Sequence, residues 1–250
     1  MSKVVVIDSG HGLPDPGAVK YGQEYQYAFQ IGAEVAKRLP ESIKVIYTRT
    51  SDKALDNNKG RDLNIRCNIA NKARASLFVS IHLNAGGGTG YETLVYSPCK
   101  EGDTVHTEVA KILRKHDIKD RGIKSRKDVR VLNGTQMPAL LLECLFIDNK
   151  SDMDKLNNPS FFNDFCQAIA DGIAKAVGVA PVKSATTPKK EEEPAVEQYK
   201  KDAKPSPTLA KEFEKAVEAG ITDGTYPQRQ ATREEVAVMV YRAMKKLSVN

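Results

Sequence analysis

Two histidines and a glutamate stand where apolar runs end. Lys3-Val4-Val5-Val6-Ile7-Asp8-Ser9 leads into Gly10-His11-Gly12. Leu77-Phe78-Val79-Ser80-Ile81 leads into His82 and then Asn84-Ala85-Gly86-Gly87-Gly88, and Pro138-Ala139-Leu140-Leu141-Leu142 ends at Glu143. Two imidazoles and a carboxylate that leave a fourth position open are the ligand set of a catalytic zinc site, whereas structural zinc takes thiolates and leaves no vacancy. His11 and His82 supply the imidazoles. Asp8, Asp15 and Glu24 are all within range as the third ligand, and spacing does not choose among them. A helix opening at Glu24, just beyond the His11 loop, would turn its first carboxylate back over the sheet edge. Glu143 is informative because a carboxylate ending an apolar strand is rarely buried unless it is paired or functional.

Plainer readings exist for each. A lone histidine after a strand is commonly a hydrogen-bonded turn residue, but two at matching strand ends favour a shared site. Glu24 also suits the positive end of its helix. Gly86 to Gly88 read equally as a flexible turn, and Arg61 and Arg66 as exposed charges on a helix face.

The elements that must position these residues follow from hydrophobic periodicity. The unbroken β-branched first run suits a strand covered on both faces, which belongs to α/β sheets. A Gly/Pro-rich loop (Gly12 to Gly22) precedes a helix near Glu24 to Leu39, with Ala28, Ile31, Val35 and Leu39 at helical spacing and Pro40 closing it. Ile43 to Tyr47 reads as a strand, a helix near Asn64 to Ala75 feeds the His82 strand, and Tyr91 to Tyr96 reads as another strand. Then come a helix from Thr104 to His116, a short strand over Val129 to Leu132, and the Glu143 strand. A last helix starts near Pro159, with Phe161, Phe165, Ile169, Ile173 and Val177 every four residues. Strands alternating with helices make a largely parallel sheet, with ligands at the strands' carboxyl ends.

The first domain thus spans 1–179. Residues 180–207 carry five prolines and a Lys189-Lys190-Glu191-Glu192-Glu193 run, the composition of a solvated linker. Over 208–250, Ser206-Pro207 opens one helix and a Thr232/Glu235 capping box opens a second, giving a small helical module. A unit of that size is near the lower limit for independent folding, so homo-oligomerisation or docking through it is expected.

With 250 residues and 40% hydrophobic content the chain has ample core for one to two domains. No apolar run is long enough to cross a membrane, so membrane insertion is not expected. The N-terminus lacks a basic leader and an apolar segment, from which we expect cytoplasmic synthesis without a signal peptide. Four scattered cysteines, Cys67, Cys99, Cys144 and Cys166, have neither zinc-thiolate nor disulfide spacing. A net charge of +6 favours an anionic partner. Its basic residues are distributed rather than clustered; charge alone permits nucleic acid, and a polyanionic cell wall serves as well.

Taken together, Asp8-Ser9-Gly10-His11-Gly12 with Asp15-Pro16-Gly17-Ala18, Glu24, Ala70-Asn71, Val79-Ser80-Ile81-His82-Leu83-Asn84-Ala85 and Leu142-Glu143-Cys144-Leu145-Phe146-Ile147-Asp148-Asn149 resemble the amidase-3 family. Its members are zinc-dependent N-acetylmuramoyl-L-alanine amidases. The likeness covers about residues 3–178, with the blocks in family order and spacing. It implies that His11, Glu24 and His82 hold one zinc ion and that Glu143 is the catalytic carboxylate. It further implies an α/β fold with a six-stranded, mostly parallel sheet, and a substrate bond between muramic acid and L-alanine of peptidoglycan. Two positions depart from the family pattern: Leu13 stands where a glycine commonly follows His-Gly, and Cys144-Leu145-Phe146 replaces Leu-Gly-Phe, changes expected to reshape the cleft.

Ala219-Gly220-Ile221-Thr222-Asp223-Gly224-Thr225-Tyr226-Pro227 and the segment after it look like a single S-layer-homology-type repeat, a wall-polymer-binding module. An amidase, a linker and such a module together resemble a phage endolysin that reaches the wall after release from the host cytoplasm; a sporulation-linked autolysin is the other role considered. Competing classes are another zinc peptidase of the stem peptide and a non-catalytic wall-binding protein.

Overall fold

Period-two alternation in three apolar strands both builds the sheet and sorts its two faces. The computed structural model describes residues 3–182, together with Lys215 and Glu218, two exposed helical positions. The linker and C-terminal module expected from the sequence lie outside the described residues, apart from 180–182 and those two positions. The chain divides into two units, Met1–Lys183 and Ser184–Asn250, and the first is an α/β fold.

In chain order its elements are β1 (Lys3–Ser9), α1 (Glu24–Arg38), β2 (Ile43–Tyr47), α2 (Lys59–Lys72), β3 (Leu77–Asn84), β4 (Tyr91–Val95) and α3 (Lys100–Lys115). They continue with β5 (Asp120–Ser125), α4 (Arg130–Asn133), β6 (Ala139–Phe146), α5 (Lys150–Leu156) and α6 (Pro159–Ala176). Six strands form one sheet in the order β2-β1-β3-β6-β4-β5. The first four run parallel; β4 pairs antiparallel with β6 and parallel with β5.

Val5 and Ile7, Val79 and Ile81, and Leu140 and Leu142 face one layer, where Ile31 and Val35 of α1, Val105 and Val109 of α3 and Phe165 and Ile169 of α6 cover them. Burying each such side chain contributes about 1.5–3 kcal/mol, so this layer is the main source of stability. Val6, Phe78 and Leu141 face the other layer, against Cys67 and Ala70 of α2 and Val131 and Leu132 of α4. Alternation also puts Asp8, Ser80, His82 and Glu143 on this second face, which α2 and α4 cover only in part.

Several expectations change. Val129 to Leu132 is not a strand: α4 is a single helical turn that buries the consecutive Val131 and Leu132 together, which a strand would send to opposite faces. The sixth strand is instead β5, Asp-Arg-Gly-Ile-Lys-Ser, an edge strand with one apolar residue and hence no readable alternation. α2 begins at Lys59, because the Asn58 side chain accepts the Arg61 N–H as its cap. α3 begins at Lys100, and α5, capped by Asn149, had no apolar stripe to announce it. Arg66 is buried rather than exposed, whereas Arg61 is exposed and pairs with Asp56. All four cysteines are free. Among the described residues no helix is long and apolar enough to cross a membrane.

Candidate active site

The carboxyl end of β1 is shaped by two buried arginines. Arg66 donates to the carbonyls of Ser9 (2.7 Å) and His11 (2.6 Å), while Arg49 donates to those of Ser9 (2.9 Å) and Gly10 (3.1 Å). Three successive carbonyls are thereby turned inward, and His11 adopts φ 58°. That left-handed conformation costs an L-residue about 1–2 kcal/mol and persists only where its surroundings fix it.

Arg49 also reaches the Tyr25 carbonyl at 2.6 Å, in the first turn of α1 beside Glu24. Arg66 pairs with Asp62 (2.7 Å) and with Asp8 (2.8 Å), whose other oxygen accepts the Ser80 hydroxyl at 2.5 Å, two residues before His82. Two guanidinium groups therefore tie together the segments carrying His11, Glu24 and His82. The sequence offered no signal for this role, since a buried arginine and a solvated one look alike in a polar loop (Arg49) or a polar helix (Arg66).

Glu24 Oε1 lies 3.0 Å from His11 Nε2 and 2.9 Å from His82 Nδ1, and the ligand-type atoms of the three residues all fall within 4.8 Å of one another. The Leu83 N–H donates to the same oxygen at 3.2 Å, and the Ala18 N–H donates to Oε2 at 2.8 Å. Behind His11, Asp15 Oδ2 hydrogen-bonds Nδ1 at 3.0 Å, while the other carboxylate oxygen, Oδ1, accepts the Gly17 N–H at 3.1 Å. A carboxylate there sets ring orientation and leaves Nε2 facing the cluster.

Two glycines make the convergence possible. A Cβ at Gly10 would sit 2.4 Å from the His82 ring; one at Gly17, where φ is +67°, would sit 2.5 Å from Glu24 Oε2 and 2.8 Å from His11 Cδ2.

Of the three candidates for third ligand, only Glu24 converges with both histidines. Asp8 is committed to Arg66, Thr48 and Ser80 beneath the turn, and Asp15 stands behind His11. Burial opposes charge on Glu24, but hydrogen bonds from His11 and His82 outweigh it and hold the carboxyl well below the usual range. Burial likewise opposes protonation of His82, but its bond to Glu24 prevails and raises its pKa.

Glu143 is the β-ladder partner of His82 and lines the same cavity of about 360 Å³. Its Oε2 is buried without a hydrogen-bond partner. Burial pushes its pKa up to about 7, with the charges of Glu24 and Glu92 adding to the rise and His82 opposing it. Glu92, directly across the β4–β6 ladder, is held ionised by Lys124 and Arg121 despite its burial. An N₂O donor set beside a carboxylate poised near neutrality can hold a divalent metal ion and move a proton. Cys144 faces the opposite layer and is fully buried, so that departure from the family pattern lies in the core and not in the cleft; Leu13 is exposed.

A family model described as N-acetylmuramoyl-L-alanine amidase matches residues 5–175. The chain belongs to that family. It is 36% identical over 207 residues to an endolysin of Bacillus phage SPP1, covering 78% of this chain and 73% of that protein. A sporulation-specific N-acetylmuramoyl-L-alanine amidase of Bacillus subtilis (strain 168) is 36% identical over 189 residues, covering 72% and 70%. Among solved structures, the catalytic domain of CwlV, an N-acetylmuramoyl-L-alanine amidase from Bacillus (Paenibacillus) polymyxa var. colistinus, superposes with a TM-score of 0.63 at 32% identity, covering 71% of this chain and 99% of that domain. The chain is thus an amidase acting on peptidoglycan, and the α/β sheet expected from the sequence is the fold of its family.

Proposed function

We propose that His11, Glu24 and His82 hold a zinc ion and that Glu143 is the catalytic carboxylate of a hydrolase cutting the bond between N-acetylmuramic acid and L-alanine. The observation that carries this reading is the convergence of three ligand-type atoms within 4.8 Å beside the unpartnered, buried Oε2 of Glu143. The donor chemistry fits: two imidazoles and one carboxylate leave a fourth position open, as catalytic zinc requires. When bound, zinc supplies Lewis acidity and lowers the pKa of water.

The chain's own residues do the rest. Asp15 and the Leu83 and Ala18 N–H groups orient His11 and Glu24 before any ligand arrives. Glu143 takes a proton from the attacking water onto Oε2 and delivers it to the departing L-alanine amine. Its Oε2 is buried and unpartnered, and the residue lines the same cavity as the cluster, which leaves one carboxylate oxygen available to take a proton and pass it on. Likeness to a phage endolysin supports wall lysis as the biological role.

The test is zinc content together with wall-digestion products for the wild type, His82→Ala and Glu143→Gln. We expect new L-alanine amino termini from the wild type, loss of zinc and turnover in His82→Ala, and loss of turnover with zinc retained in Glu143→Gln. Zinc retained by His82→Ala would remove His82 from the ligand set, and hydrolysis by Glu143→Gln would remove Glu143 from proton transfer.

A further inference from the structure

Beyond the reacting atoms, the cavity continues along the second sheet face. Leu141, two residues before Glu143 on β6, and its ladder partner Leu94 form a floor, and Val129 and Val131 a wall. This apolar trough ends at Arg126, which follows β5 and is anchored by its N–H to the Val95 carbonyl at 2.8 Å. Among the described residues the guanidinium is held by Asp128 alone, through Nε at 2.9 Å and Nη2 at 2.8 Å, with both side chains about half or more exposed. Exposure keeps the net strength of such a pair modest, although two-point geometry puts this one at the stronger end, and a ligand carboxylate would have to displace Asp128 from the same fork. By contrast, Arg66 is committed to Asp8, Asp62 and main-chain carbonyls, and Lys59 stands on the His11 side, near Asp15.

We propose that Arg126 is a subsite for the α-carboxylate of the acidic residue that follows L-alanine in the stem peptide; the proposal rests on the amidase reading above. Glu143 hands its proton to the leaving amine, so the peptide lies on the Glu143 side of the scissile bond. Leu141, Leu94 and Arg126 continue from that side. Glu143 pairs with Glu92, and Arg126 stands one residue past the Val95–Ser125 pair, so four residues along the ladder, about 13 Å, and two strand spacings, about 10 Å, separate the Glu143 and Arg126 backbones by roughly 16 Å. The two side chains close much of that gap, and two extended peptide residues span roughly 7 Å of it. An apolar floor accommodates the alanine methyl group, and a guanidinium fork matches a carboxylate in two-point geometry.

The experiment compares muramoyl peptides whose second residue carries a free or an amidated α-carboxyl, with wild type, Arg126→Ala and Arg126→Lys. For the free carboxylate, Arg126→Ala should raise KM by about tenfold or more at nearly unchanged kcat, as loss of a charged hydrogen bond dictates. For the amidated peptide the substitution should change little, and Arg126→Lys should recover part of the loss. An equal effect on both peptides, or none on either, overturns the subsite. A wild type that releases no L-alanine amino terminus from either peptide overturns the amidase reading on which the subsite depends.

Discussion

Gly17→Ala separates site geometry from general stability. Its φ of +67° makes any L-residue strained, and the new methyl would stand 2.5 Å from Glu24 Oε2 and 2.8 Å from His11 Cδ2. Gly178, beyond the end of α6, has a similar φ of +76° but nothing within 4 Å of a built Cβ, so Gly178→Ala carries the backbone strain without the contact. Each variant should lose about 1–2 kcal/mol to the left-handed conformation. For a chain of this size that lowers Tm by about 2–8 °C.

Only Gly17→Ala also displaces the Glu24 carboxylate and the His11 ring. Perturbing a ligand's immediate support typically weakens metal binding by about 10–100-fold. Zinc affinity measured against a chromogenic chelator, alongside thermal unfolding of the metal-free proteins, reads the two effects apart. We expect similar Tm losses, with weakened zinc binding in Gly17→Ala alone. Equal zinc affinities in the two variants would refute the idea that Gly17 exists to let His11 and Glu24 meet.

Arg49→Lys keeps the charge but cannot reach the carbonyls of Ser9, Gly10, Tyr25 and Ser51 together. Charged hydrogen bonds contribute about 1.5–3 kcal/mol each, so the metal-free urea midpoint should fall by an amount worth at least about 2 kcal/mol. An unchanged midpoint would show that the arginine is replaceable by any cation. The stability of the metal-free protein should also fall as pH rises from about 5 to 8, through groups whose folded pKa is raised. Glu143, raised from 4.5 to about 7, favours folding less as pH climbs across that interval. His82, raised from 6.5, contributes stability that is full below 6.5 and lost as pH passes its folded value. Added zinc should reverse the slope, because its ligands must be deprotonated; a metal-free midpoint that rises over this range would contradict the assignment.

Strand-end histidines, the Glu143 run and the family blocks around them were legible because each is a local pattern: apolar alternation followed by an ionisable residue. From those patterns the sequence determined the α/β class, the long helices, and the identity of His11, His82 and Glu143 as residues that meet. The choice of Glu24 over Asp8 and Asp15 came only through family resemblance. Its physical reason is tertiary: Asp8 is consumed by Arg66, Thr48 and Ser80, and Asp15 stands behind an imidazole. β5 was missed and α4 read as a strand because an edge strand and a one-turn helix have too few buried positions to show a period. Arg49 went unnoticed, and Arg66 was read as an exposed charge, for a related reason. Their function is to neutralise carbonyls and carboxylates brought together from distant segments, and no spacing along the chain records which distant groups will converge.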